Sequence, residues 1–194
     1  MITSAVVRLV AWVWLFAAMG AGHFLLLQRL PVMATPAIVL SLVTALIFVH
    51  RRSAAFRTWV AAIPLRTLVL LHLTRLVGFA FIYFADRGEL PRAFALQAGW
   101  GDIVVAALAL PIAFWGIQPQ RIRLVYIWNV IGFLDILLVV VSAARLGFSD
   151  PGSVQLFTRL PLSLLPTFLV PLIIASHLLI FQRLAAAEPR HHEG

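Results

Sequence analysis

Cysteine is absent from this 194-residue chain, which excludes disulfides, iron–sulfur clusters, haem attached through Cys-x-x-Cys-His and thiol nucleophiles. Lysine is absent too: all 15 basic residues are arginine, so neither a retinal nor a pyridoxal phosphate Schiff base can form, since both need a lysine amine. There is no Gly-x-Ser-x-Gly, no His-Glu-x-x-His and no glycine-rich phosphate loop. Ser176 and His177 are adjacent, and neighbouring helical residues point about 100° apart, too far for a nucleophile and its base. These absences argue against an enzyme.

What the chain has in abundance is hydrocarbon. Hydrophobic residues make up 62% of it and the mean hydropathy is +1.01, above the ~45 to 50% apolar share of soluble domains. The expected fold is an all-α polytopic membrane bundle of about six transmembrane helices. A hydrocarbon core needs about 20 apolar residues per helix, and six stretches meet it: Ala5 to Leu27, Pro31 to His50, Leu65 to Phe84, Gly99 to Ile117, Leu124 to Phe148 and Pro161 to Phe181. The first is too long for a signal peptide and lacks a small-residue cleavage site. Residues 1–184 read as a single bundle and 185–194 as a short mobile cytoplasmic tail. Ser53 to Ile63 is amphipathic enough to lie along the interface before Pro64 starts the third span. Pro161, Pro166 and Pro171 should kink or break the last one.

The net charge of +8 does not point to nucleic acid. The arginines sit singly or in pairs at the ends of apolar runs, where they anchor helices and meet anionic lipid. Arg51, Arg52, Arg57, Arg66, Arg121, Arg123, Arg183 and Arg190 fall on one side, against Arg29, Arg87, Arg92, Arg145 and Arg159 on the other, which places both termini in the cytoplasm. Trp12, Trp14, Trp59, Trp115 and Trp128 read as interfacial belt or packing residues.

Against this background Arg75, Asp102, Asp135 and His177, with His72 and Asn129 beside them, are out of place. A charge near the bilayer centre costs at least ~2.5 to 3.5 kcal/mol, so such groups face a bundle interior and find partners there. His72, Asn129 and His177 each lie six positions inward from an arginine (Arg66, Arg123, Arg183), roughly 9 Å deep. Arg75 follows at about 13 Å, Asp135 at about 18 Å, His23 at about 22 Å and Asp102 at about 28 Å. The result is a ladder across the membrane, with Arg75 on helix three facing Asp135 on helix five. Asp102 would stand in the first turn of span four, capping it or forming an outer mouth within reach of His23.

A structural ion pair needs one acid and one base. The surplus of ionisable groups points instead to a site for a proton, an ion or a small polar solute, in which Arg75 binds or gates, Asp135 titrates, Asp102 serves the outer entrance, and Asn129 with His177 the inner one. Two other readings stay open. His72 and His177 at one depth suit axial ligation of haem b, and His177, Asp135 and Asn129 suit a metal ion. The charges would alternatively pack an accessory subunit into a larger complex. The octets beginning at His23 and His177 echo one another as in an inverted repeat.

Arg75 with Gly78, Gly101-Asp102, Asn129-x-x-Gly132-x-x-Asp135 and the proline-rich last span ending in His177 resemble a group of small bacterial multi-pass membrane proteins without an assigned activity. The resemblance implies that Arg75, Asp102, Asn129, Asp135 and His177 form one shared constellation. The protein is expected in a bacterial inner membrane, as a homo-oligomer or beside other membrane subunits.

Overall fold

A computed structural model describes residues 4–31 and 33–187. Among them all regular structure is helical, and six helices are long and apolar enough to cross a membrane. The bundle is α1 (Ser4–His23), α2 (Ala34–Arg52), the short α3 (Ala54–Ala61), α4 (Leu65–Leu70) continued by a 3₁₀ segment (Leu71–Val77) into α5 (Gly78–Asp86), α6 (Arg92–Pro111), α7 (Ile122–Ser149) and α8 (Val170–Ala187). The last helix thus runs past Leu184, and residues 188–194 of the expected tail lie outside the described residues.

Burial is uneven. Half or more of the most apolar stretch of α6 and of the last span is buried, but only 11% of those of α1 and α2. The long outer rows of apolar side chains, such as Leu9, Trp12 and Phe16 on α1 and Ile127, Leu134 and Leu138 on α7, are exposed, as lipid contact requires. α1 is held by its other face, where the Trp14 indole donates to the Thr167 carbonyl (2.9 Å) and packs on Phe168.

The amphipathic stretch after span two forms α3, capped by Ser53, whose hydroxyl accepts from the Phe56 amide at 3.1 Å. Its other end is closed by Arg183 of α8, which donates to the carbonyls of Val60 and Ile63. Arg57 does the same for α2 through the Arg51 carbonyl (2.8 Å). Helix C-termini leave carbonyls without partners, and a guanidinium satisfies several at once.

Two spans depart from the boundaries read in the sequence. Span four starts at Arg92, behind Pro91, instead of at Gly99. Gly99 is a mid-helix contact: a Cβ on it would come 2.8 Å from the Gly78 carbonyl oxygen, and a Cβ on Gly78 would strike the Gly99 carbonyl in return. The glycines that resemble a helix start serve close approach of α5 and α6. The last span starts at Leu165, so Pro161 lies in a turn, and Pro166 sits in a π-helical turn (Leu165–Leu169) before α8. Proline lacks an amide hydrogen, and the π turn accommodates the missing bond.

Candidate functional site

The 3₁₀ segment in mid-membrane carries the site. A 3₁₀ helix has three residues per turn and eclipses positions i and i+3, so His72, Arg75 and Gly78 stand in one line, all buried, with Thr74 and Leu76 turned outward. His72 and Arg75 are fully enclosed. Gly78, at the end of the line, brings α6 near enough for its carboxylate to reach the guanidinium.

Arg75 uses all three guanidinium nitrogens. Nε donates to Asp102 Oδ1 at 2.6 Å, Nη1 to the Gly132 carbonyl at 2.9 Å, and Nη2 to Asp135 Oδ2. One cation on span three thus ties together α6 and α7. Gly101 makes room for this arrangement, because a Cβ there would fall on the Asp135 carboxylate. Arg75 does face Asp135, and it also binds Asp102, which the depth count had set far away. That count ran back from Arg121 as though the chain were one helix, whereas Ile117 and Gln118 are non-helical and Asp102 lies ten residues inside α6. Asp102 is 3% exposed and is neither a cap nor an outer mouth. His23 is exposed at the end of α1, edge-on to Phe24.

One layer away, His72, Asn129 and His177 meet, as their matched depths predict. The Asn129 amide donates to the His177 carbonyl (3.1 Å) and its Oδ1 lies 2.8 Å from His177 Nδ1. His72 Nε2 is 3.1 Å from the Ser176 hydroxyl, which also bonds the Ile173 carbonyl at 2.8 Å. These contacts set the neutral tautomers. With the Ser176 hydroxyl proton on the Ile173 carbonyl, His72 donates through Nε2. Asn129 offers its oxygen, so His177 must donate through Nδ1. His72 Nδ1 and His177 Nε2 are then buried acceptors with no partner among the described residues. The two rings are 4.2 Å apart between centroids, with Trp128 edge-on to His72 at 5.0 Å. Trp128 is no belt residue: it is 4% exposed and donates to the Val105 carbonyl at 3.1 Å.

This geometry does not fit a haem between the two histidines. Their rings already touch, leaving no space for a porphyrin plane between them. Nor do His177, Asp135 and Asn129 converge on one point, since His177 Nδ1 is taken by Asn129 and Asp135 by Arg75. Among the described residues no three His, Asp or Glu side chains group as metal ligands.

A cavity of about 290 Å³ completes the site. It extends from the exposed residues Gln28, Pro31 and Gln155, in the connections after α1 and α7, down to Arg75 and Asp102. Its walls are apolar apart from Gln28, Thr35, Gln155 and Thr158, and Asp135, Asn129, His72 and His177 are not among its lining. Ser176 and the Gly132 carbonyl are the partners that a reading of the sequence misses: a serine inside a helix and a backbone oxygen carry no pattern that marks them.

The arrangement is that of a polytopic helical membrane protein with an enclosed charge cluster. Residues 32–185 match the family described as a domain of unknown function (DUF8737), and the chain belongs to that family. No curated protein and no solved structure matches it.

Proposed function

We propose that this protein moves a proton, an ion or a small polar solute across its membrane through the Arg75–Asp102–Asp135 cluster. The supporting observation is the charge count of the buried triad: one guanidinium faces two carboxylates. With both acids ionised the cluster carries a net negative charge in a medium that penalises it, so the two carboxylates share one proton or attract one cation. That surplus is what a purely structural ion pair lacks. The cavity gives one face of the cluster a route to the membrane surface.

The arginine distribution orients this path. With Arg51, Arg52, Arg57, Arg121 and Arg123 cytoplasmic, both termini are cytoplasmic and the cavity opens to the opposite side, as in a bacterial inner membrane. On this reading the layer of His72, Asn129, Trp128 and His177 closes the path toward the cytoplasm.

The test is flux in proteoliposomes under an imposed pH gradient. Wild type should dissipate the gradient faster than empty vesicles, and Asp135→Asn should abolish the difference while the variant still purifies as a folded species. Equal dissipation by wild type and empty vesicles, with no uptake of any ion tried, would remove the proposal.

A further inference from the structure

The cavity and the triad make a combined feature that neither makes alone. Its walls are hydrocarbon: Val39, Phe81, Phe94, Ile136, Phe157 and Ile173 surround it, each less than 10% exposed. Its inner end is Asp102, nearly wholly buried yet part of the lining. Asp102 Oδ1 is engaged by Arg75, and Oδ2 accepts no hydrogen bond from a described residue. Arg75 spends three of its five N–H donors on Asp102, Asp135 and Gly132. The end of the cavity therefore offers a carboxylate oxygen that no described residue engages, in a cluster where carboxylates outnumber guanidinium two to one, which favours a cationic head group over an anionic one.

Resting on the reading of the triad as a site that holds one surplus proton, we propose that the cavity binds an amphiphile with a protonated amine head and an apolar body, in exchange for that proton. The ammonium lies against Asp102 Oδ2 and the hydrocarbon body fills the space between Phe81, Phe94, Phe157 and Ile136. The exchange balances in charge and atoms: the carboxyl proton leaves to water through the cavity mouth, and the arriving ammonium becomes the counter-ion of the carboxylate it exposes. No bond other than the O–H is broken. A buried acceptor at the inner end of a cavity is the geometry such an exchange needs, because head group and proton compete for one oxygen.

The test uses the full chain in lipid nanodiscs, with hexylammonium as the probe and hexanoate as its charge-reversed match, by isothermal titration calorimetry in two buffers of different ionisation enthalpy. Hexylammonium should bind with release of roughly one proton, as the one-proton triad requires, and hexanoate should give no saturable heat beyond empty nanodiscs. Asp102→Asn should weaken hexylammonium by roughly tenfold or more and abolish the proton release, since a charge-assisted bond is lost. Ile136→Trp, which leaves the three charged residues in place but fills the cavity that is both the binding space and their route to the surface, should weaken hexylammonium binding and slow the proton flux together. Equal binding of hexanoate, retained binding and proton release in Asp102→Asn, or no binding to wild type would each overturn the proposal. Proton flux without amine binding would overturn this inference and leave the transport reading standing. Absence of both would remove both.

Discussion

His177 lies against Gly132 so closely that a Cβ on the glycine would sit 2.8 Å from the imidazole Cε1. The same glycine offers its carbonyl to Arg75. One residue thus joins the histidine layer to the charged triad, and its missing side chain is what lets both pack.

Gly132→Ala should therefore destabilise the bundle by about 1 to 3 kcal/mol, the usual cost of overpacking a tight interior. Thermal unfolding in detergent should show the loss, and Ala at the half-buried Gly20, where a Cβ meets nothing within 4 Å, should not lower the midpoint.

Removing the Arg75 cation leaves two buried carboxylates uncompensated, so Arg75→Gln should cost about 3 to 5 kcal/mol, as breaking a buried ion pair does. The triple variant Arg75→Gln with Asp102→Asn and Asp135→Asn removes the charges together and should recover much of that stability. A triple variant as unstable as the single one would show that the triad is held by packing and not by charge balance.

The histidine tautomers are opposite: neutral His72 carries its proton on Nε2 and neutral His177 on Nδ1. Imidazole nitrogen-15 spectra of the protein, assigned with His72→Ala and His177→Ala, should resolve one of each. Asn129→Leu should release the His177 preference and leave His177 Nδ1 without its partner, at a cost of about 1 to 3 kcal/mol.

Arg183 closes the end of α3 by donating to Val60 and Ile63. Arg183→Gln should raise amide hydrogen exchange across residues 54–63 and leave the 3₁₀ segment protected. Arg183→Lys should rescue this only in part, because an ammonium lacks the planar fork that spans two carbonyls.

The absence of cysteine makes topology directly measurable. Arg52→Cys and Glu89→Cys, both at exposed positions, should react with a membrane-impermeant maleimide from opposite sides, Glu89→Cys from outside intact cells. Labelling of both from one side would contradict the six-crossing arrangement.

How much of this was legible before the fold is clearest residue by residue. The six apolar runs, the interfacial helix after Ser53 and the interrupted last span are local properties, set by side-chain transfer energies and by proline's missing donor. The common depth of His72, Asn129 and His177 was legible too, because rise per residue is constant within a helix. Asp102 is misplaced by a count that treats the chain between it and Arg121 as continuous helix, and the start of span four is misplaced at Gly99 because a glycine that permits close helix approach also permits a turn.

The sequence by itself determined that this chain forms six helices long and apolar enough to cross a bilayer, and which few polar side chains must find partners among them. Only the tertiary structure decided which partners they find. Each helix is apolar nearly all round, so no periodicity in the sequence sets its rotation. Rotation comes from the steric fit of Gly78 on Gly99, Gly101 on Asp135 and Gly132 on His177, and from the 3₁₀ winding that aligns His72 with Arg75. These are contacts between distant segments. They exist only once the bundle is packed, and they turn scattered charges into a triad at the end of a cavity.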